Sequence, residues 1–123
     1  MLNYANVITE EKTYAGLQMK EIKPIMKLII RGKRRDFLSA IGKSLNLLLP
    51  NEANTSSRSD KLTALWLSPD EWMIYSNETS SLENNDYEIE NLLSKNISKT
   101  NLGAVTDVTD LFVLINIKGD KIF

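Results

Sequence analysis

Two pairs of closely spaced carboxylates are the residues of this sequence that could do acid-base or metal chemistry. Asp70 and Glu71 are adjacent, and Asp107 and Asp110 are three residues apart. Glycosidase-type catalysis needs two carboxylates facing a gap of roughly 5 to 9.5 Å, whereas neighbours in a turn point in different directions. A hard cation prefers about six or more oxygen ligands, and no further acids lie near the second pair in sequence. A turn at Ser-Pro-Asp-Glu and a bend capped by Asp and Thr side chains are therefore the favoured interpretations.

The sharpest charge cluster is the basic segment, which comprises Arg31, Lys33, Arg34 and Arg35. Three of these cations lie where a helix is predicted to begin, and cations there oppose the helix dipole. Local stability therefore does not explain them, which favours an external anion or an acidic partner surface. A solvated turn is the alternative, since its cost is only roughly 0.3 to 1 kcal/mol.

Trp66 and Trp72, the two tryptophans of the chain, flank the Ser-Pro-Asp-Glu turn. Tryptophans are most often part of a core, and facing aromatic residues on paired strands contribute about 0.2 to 1 kcal/mol. Tryptophan is also enriched among interface hot spots. We therefore predict that Trp66 and Trp72 are partly core and partly a candidate docking surface, together with Arg31, Arg34 and Arg35.

Composition limits the chemistry further. The 123 residues carry a formal charge of -1 and contain no His and no Cys. These absences exclude disulfides, thiolate nucleophiles, Cys/His zinc sites and an imidazole base. The near-neutral charge makes nucleic acid a poor partner. We assign no catalytic, cofactor-binding or metal-binding residue; a stand-alone carboxylate enzyme is the weakest hypothesis.

Targeting signals are not evident. The N-terminal sequence has no basic start and carries Glu10 and Glu11 where a signal peptide would be apolar. No apolar run approaches the roughly 20 residues that span a bilayer. The sequence predicts a soluble, cytoplasmic protein with no membrane partner.

Hydrophobic periodicity predicts the order strand, helix, strand, strand, helix, strand after an N-terminal arm of residues 1–24. The first strand begins at Ile25 and closes on Gly32. A hairpin surrounds Pro69, and a final strand runs to Gly119. The helices are predicted from two apolar stripes: Phe37, Leu38, Ile41, Leu45 and Leu48, with an end at Pro50, and Tyr87, Ile89, Leu92, Leu93 and Ile97.

This order predicts an α+β fold, a ferredoxin-like split βαβ (βαββαβ) sheet with both helices on one face. Residues 25–123 form a single domain in this prediction. The last residues, Gly-Asp-Lys-Ile-Phe, resemble a helix that has only begun. The domain is therefore expected to be truncated at its C-terminus.

Three segments, KLIIRGKRRDFLSAIGKSLNLLLP, ALWLSPDEWMIY and GAVTDVTDLFVLINIKGDKIF, resemble in that order the gamma subunit family of heterotetrameric sarcosine oxidase. The resemblance covers about Leu28 to Phe123. Its most specific part is LWLSPDEW, in which the family usually has Gly at the position of Ser68. The R-G-x-x-x-x-F and V-T-D-V-T-D motifs add support. The family continues well past the last strand, so this chain resembles its N-terminal two-thirds.

The resemblance implies a fold similar to the N-terminal part of the glycine-cleavage aminomethyltransferase. It also implies a cytoplasmic heterotetramer of alpha, beta, gamma and delta subunits that oxidises sarcosine in sarcosine catabolism. FAD, FMN, NAD and tetrahydrofolate belong to the larger subunits, so this chain is expected to be a non-catalytic accessory subunit. The alternative is a folate- or small-anion-binding domain related to aminomethyltransferases, motivated by the fold relation and by the basic segment.

Overall fold

The structure is a computed structural model that describes residues 5–8, 12–33, 35–78, 87–100 and 102–122. The chain divides into two compact units, one made of Met1–Pro24 and Asp110–Phe123 and the other of Ile25–Thr109. The division into an arm of residues 1–24 and a single domain of residues 25–123 stays a prediction. The structure groups residues 110–123 with the first segment instead of with the rest of that domain.

The fold is α+β, with two helices and two antiparallel sheets. In chain order the elements are β1 (Lys12–Tyr14), β2 (Leu17–Ile22), β3 (Lys27–Gly32), α1 (Arg35–Leu45), β4 (Ser56–Arg58), β5 (Leu62–Ser68), β6 (Glu71–Ser76), α2 (Tyr87–Thr100), β7 (Gly103–Asp107) and β8 (Leu114–Lys118). The strands β3, β5 and β6 and both helices confirm predicted elements. The strands β1, β2 and β4 lie in segments for which no strand was predicted.

The unit Ile25–Thr109 contains a five-stranded sheet in the order β4-β5-β6-β3-β7. Neighbouring strands are antiparallel, and α1 and α2 contact each other. Side chains alternate between the two faces of each strand, so one set of apolar side chains points towards the helices, as expected for a half-buried sheet. The core cluster consists of Met26, Leu28, Ile30, Phe37, Ile41, Leu45, Leu47, Leu62, Ala64, Ile74, Leu93 and Ile97.

Helix α1 ends at Leu45, earlier than the predicted end at Pro50. Asn46 has a left-handed φ of 48°, and the N–H of Leu47 donates to the carbonyl of Gly42 over 3.1 Å. This arrangement is a Schellman-type helix end, in which a residue with positive φ turns the chain away from the helix axis. Leu48 is 84% exposed, so its place on the buried stripe was predicted wrongly.

The segment after residue 102 contains two strands: β8 confirms the predicted final strand near Gly119, whereas β7, before the bend, was not predicted. Strand β7 pairs with β3, whereas β8 pairs with β2 in the other sheet. The Asp107 carboxylate accepts a hydrogen bond from the Thr109 N–H over 2.9 Å, which forms the predicted Asp-capped bend. The Thr109 hydroxyl accepts a hydrogen bond from the Lys27 N–H over 3.1 Å, which fixes this bend to the start of β3.

The other unit contains a three-stranded antiparallel sheet in the order β1-β2-β8. Gly16, in the turn between β1 and β2, has a φ of 75°, a conformation that favours glycine. The Gly16 carbonyl accepts a hydrogen bond from the Lys121 N–H over 3.2 Å. This bond holds the chain after β8 against the β1–β2 turn.

Candidate partner interface

The Ser-Pro-Asp-Glu turn carries two carboxylates that pair with the basic segment. The register of β3 and β6 places Arg31 opposite Glu71. The Arg31 guanidinium donates from Nη2 to Glu71 Oε2 over 2.9 Å. The hydrogen bond and charge of Glu71 raise the pKa of Arg31 above its usual value. The Arg31 side chain remains 64% exposed, so this surface pair contributes little to stability.

Asp70 is held ionised at the tip of the same turn. The Ser68 hydroxyl donates to Asp70 Oδ1 over 2.8 Å, and Lys33 Nζ lies 3.7 Å from Asp70 Oδ2. The Ser68 hydrogen bond is the main cause of the lowered pKa of Asp70, and the charge of Lys33 adds to it. The Asp70 carbonyl also accepts from the Gly32 N–H over 2.9 Å. The turn is therefore tied by backbone and side chain to the end of β3.

These contacts change the interpretation of the basic segment. Arg31 and Lys33 have carboxylate partners within the chain, so their presence no longer requires an external anion. Arg34 lies outside the described residues. Arg35 is exposed in the first turn of α1, and it has no ion pair with a carboxylate in the described part of the chain. Among the described residues of the segment, Arg35 is thus the cation available to a partner.

The R-G-x-x-x-x-F motif has a structural role that its sequence spacing did not reveal. Gly32 and Gly103 are register partners on β3 and β7, and the ring of Phe37 packs over both. A Cβ atom at Gly32 would lie 2.5 Å from ring atoms of Phe37, closer than real Cβ contacts come. The two glycines therefore make room for a ring that is fully buried.

The two tryptophans have different environments although they are register partners on the hairpin. Trp72 is 3% exposed, and its indole Nε1–H donates to the Pro50 carbonyl over 2.7 Å. Trp66 is half-buried beside an irregularity in the β5–β6 register. The role of Trp66, Trp72, Arg31, Arg34 and Arg35 in partner contact stays a prediction. Burial leaves Trp72 little surface to offer, whereas Trp66 remains accessible.

A groove of about 490 Å³ runs along one flank of α1. Its apolar wall is made largely of Leu38, Leu49 and Trp72, and the exposed Leu48 also lines it. The cations that line it are Arg35 and Lys43, eight residues apart on α1, and no carboxylate is among its lining residues. The groove could not be predicted from the sequence, because the spacing of Leu48 places it on the buried stripe of α1. The early helix end at Asn46 is what leaves Leu48 at the surface.

The residues that the structure describes contain neither a metal-ion cluster nor a membrane-spanning helix. No group of three or more His, Cys, Asp or Glu residues there is arranged to hold a metal ion. None of the described helices is both long enough and apolar enough to cross a bilayer.

Comparison with known proteins gives a structural match only. No family profile and no curated protein sequence matches the chain. The fold is similar to a chain of the heterotetrameric sarcosine oxidase from Corynebacterium sp. U-96, solved in complex with pyrrole 2-carboxylate, with a TM-score of 0.72 and 17% sequence identity. The match covers 84% of this chain and 50% of that chain, so this chain spans about half the length of the protein it resembles. At this identity the similarity shows a shared fold.

Proposed function

We propose that this chain is an accessory subunit of the gamma type in a heterotetrameric sarcosine oxidase, where it supports oxidative demethylation of sarcosine by larger flavoprotein subunits. The observation that carries the proposal is the structural match at a TM-score of 0.72 to a chain of such an enzyme. The match rests on backbone geometry, whereas the sequence resemblance rests on three short motifs. The shared fold and the three motifs together support the proposal.

The residues of this chain are consistent with an accessory role. The chain has no His and no Cys, and its Asp70 and Glu71 carboxylates are engaged with Lys33 and Arg31. In the proposal, FAD, FMN, NAD and tetrahydrofolate are bound by the alpha and beta subunits, and this chain contacts the alpha, beta or delta subunits. The assembly is cytoplasmic in this proposal.

We also propose that the unit Ile25–Thr109 has the ferredoxin-like split βαβ arrangement. Without the short strand β4, its strand order is β5-β6-β3-β7, and α1 and α2 connect β3 to β5 and β6 to β7. This order and these helical connections are those of a βαββαβ unit. The arrangement supports the relation to the aminomethyltransferase fold that the sequence resemblance implied.

The test is co-expression of the tagged chain with the alpha, beta and delta subunits from its own source, followed by size-exclusion chromatography. The peak fractions are then assayed for sarcosine-dependent peroxide formation. We expect co-elution with an active flavoprotein, and loss of yield when the chain is omitted. A chain that elutes alone beside a fully active three-subunit enzyme would contradict the proposal.

The contact surface is tested in the same assay. Arg35→Glu reverses the available cation at the groove, and Trp66→Ala removes the accessible aromatic ring. Both should lower the yield of assembled complex while the chain remains folded, because arginine and tryptophan are enriched among interface hot spots, whose truncation costs about 2 kcal/mol or more. Lys99→Glu is the matched charge-reversal control, since Lys99 is exposed in the last turn of α2 and outside the groove. Equal yields for Arg35→Glu, Trp66→Ala and Lys99→Glu would exclude these contacts.

A further inference from the structure

Exposed apolar side chains are concentrated in one short segment. Six of the eleven exposed large hydrophobic residues found in the described ranges lie between residues 111 and 122. They are Leu111, Phe112, Val113, Ile115, Ile117 and Ile122. Exposed apolar side chains that form a contiguous surface typically mark a site of association. Isolated exposed hydrophobic residues, by contrast, would need no explanation.

The same segment belongs to a sheet that has no buried core. Every buried hydrophobic residue identified in the described ranges belongs to the unit Ile25–Thr109. The three-stranded sheet β1-β2-β8 therefore contains no fully buried apolar side chain, and small sheets need a covered hydrophobic face for stability. This sheet would gain stability from a partner that buries Ile115 and Ile117.

Strand β8 is an edge strand of its sheet in the part of the chain that the structure describes. It is the last strand in the order β1-β2-β8, and it pairs with β2 alone among the strands that the structure describes. An open edge presents unpaired backbone donors and acceptors that can bind another strand. The middle of β8, Ile115 to Ile117, has no charged or proline residue to prevent such pairing.

We propose that β8 pairs antiparallel with β8 of a second copy of this chain about a two-fold axis at Asn116. This pairing joins two three-stranded sheets into one continuous sheet and covers the β8 edge of both copies, with β1 left as the outer strand on each side. The inference does not rest on the proposed function. In this inference the partner of the β8 edge is a second copy of the same chain.

The sequence of β8 is suited to self-pairing because it is symmetric around its centre. In the Leu-Ile-Asn-Ile-Lys strand, a register centred on Asn116 places Ile115 of each copy opposite Ile117 of the other. Both isoleucines lie on the same face, so the two copies form one apolar row across the axis. The two Asn116 amides, which can each donate and accept, lie together on the opposite face. A two-fold interface requires self-complementarity of this kind.

Charge does not oppose the pairing. Lys118 is the one charged residue of β8, and it lies opposite Leu114 of the second copy in this register. The two Lys118 residues are then four residue steps apart, or roughly 13 Å at the rise of a β-strand. This separation exceeds the Debye length of about 8 Å at physiological ionic strength, so their repulsion is largely screened.

The absence of cysteine allows a test of both the pairing and its register. Asn116→Cys would place the two thiols opposite each other, with Cα atoms about 4.5 to 5.5 Å apart in an antiparallel pair. This distance lies in the range of roughly 4.4 to 6.8 Å that disulfides span. Leu114→Cys is the matched control, because its symmetry mate would be roughly 13 Å away. We expect mild oxidation to give a covalent dimer with Asn116→Cys and a monomer with Leu114→Cys.

A mixture supplies a positive test of the same register. Leu114→Cys combined with Lys118→Cys should give a mixed covalent dimer, since these two positions are opposite each other. Asn116→Cys that stays monomeric while folded would overturn the proposal. Equal cross-linking of Leu114→Cys alone would also overturn it, because that result requires a different register or random collision.

The mass in solution tests the pairing without cross-linking. Light scattering over a range of micromolar concentrations should show a shift from the 14.0 kDa chain towards twice that mass. Ile117→Lys should return the mass to that of the monomer, because it puts a charge into the apolar row. Leu48→Lys, which changes an exposed apolar residue in the other unit, should leave the dimer intact.

Two results would assign the edge differently. A native chain that remains monomeric at the highest concentration would overturn self-pairing. The amides of β8 could instead be protected from hydrogen exchange only when the alpha, beta or delta subunits are co-expressed. That result would show that one of those subunits binds the β8 edge. In that case the inference fails while the proposed function stands.

Discussion

At the scale of single residues, Phe37 depends on two positions that have no side chain. Its ring is fully buried against the backbone at Gly32 and Gly103, which pair across β3 and β7. A Cβ atom at Gly103 would meet both the ring and the Arg31 carbonyl. The close approach of a ring to two strands, and not backbone conformation, is the reason for glycine at both positions.

Gly32→Ala should therefore destabilise the chain. The added methyl group overlaps the Phe37 ring, and overpacking of a filled core typically costs about 1 to 3 kcal/mol. The measurement is the urea unfolding midpoint followed by tryptophan fluorescence. Ser39→Ala, at an exposed position of α1, is the control and should shift stability by no more than about 0.5 kcal/mol. Equal midpoints for Gly32→Ala and the control would show that the ring can move away at no cost.

Asp70 makes a pH-dependent contribution to the free energy of unfolding. This contribution depends mainly on the Ser68 hydroxyl group. Its pKa in the folded chain is lower than the unfolded value of about 3.9, mainly because of Ser68. A lowered folded-state pKa contributes stability above the unfolded pKa, and this contribution is lost as the pH falls through the folded pKa. Ser68→Ala should raise the pKa of Asp70 and reduce the acid dependence of unfolding below about pH 4.

An NMR titration of the Asp70 carboxyl carbon measures this change directly. Ser98→Ala is the control, because the Ser98 hydroxyl donates to the Ser94 carbonyl on exposed α2, away from the turn. The control should leave the Asp70 titration unchanged. An Asp70 pKa that is the same with and without the Ser68 hydroxyl would assign the lowered value to Lys33 instead.

At the scale of elements, the end of α1 determines which side chains after the helix are exposed. Asn46 has a positive φ, and the chain turns there, which leaves Leu47 buried and Leu48 exposed. Asn is one of the few residues besides Gly that adopt this conformation readily. The helix end therefore controls the wall of the groove that Leu48 lines.

Substitutions at Asn46 should separate backbone conformation from side-chain contacts. Asn46→Gly should stabilise the chain by up to about 1 kcal/mol, because glycine has no Cβ penalty at positive φ. Asn46→Ala should destabilise it by about 1 kcal/mol or slightly more. The measurement is thermal unfolding by circular dichroism. The opposite order of stability would mean that the Asn46 side chain, and not its backbone conformation, determines the helix end.

The elements that could be predicted from the sequence are those in which apolar residues repeat at the helix or strand period along the whole element. The stripe from Phe37 to Leu45 and the alternation in β5 and β6 each run over enough residues to identify a helix or a strand. The segment Gly103–Asp107 has too few apolar residues to reveal β7 by periodicity, so the sequence does not show that the chain changes sheets before β8. The pairing of Arg31 with Glu71 was also missed, since it depends on the register of strands 40 residues apart in sequence.

At the scale of the whole molecule, stability is concentrated in the unit Ile25–Thr109. The core cluster lies entirely within it, as do the hydrogen bonds of Trp72 and Thr109. Cooperative unfolding units often coincide with such packed substructures. The sheet β1-β2-β8 lacks a buried apolar residue and belongs at the low end of local stability.

The fragment 25–109 should therefore fold without the remaining residues. We expect it to keep a cooperative denaturant transition detected by the fluorescence of Trp66 and Trp72, with a modestly lower midpoint than the full chain. In the full chain, amides of β2 and β8 should exchange faster than those of β3 and β6, measured by hydrogen exchange. A fragment without a cooperative transition, or uniform exchange across both sheets, would show that the two units unfold as one.

The pairing of β2 with β8 has a consequence for synthesis on the ribosome. Gln18 pairs with Lys118, a separation of 100 residues in sequence. At about 5 to 20 residues per second, β2 would wait roughly 5 to 20 s for its partner strand to be made. During that interval the β1–β2 hairpin has no third strand, and an isolated hairpin is marginally stable at best. In nascent chains β1 and β2 therefore stay open to chaperones and proteases long after α1 and α2 have been made.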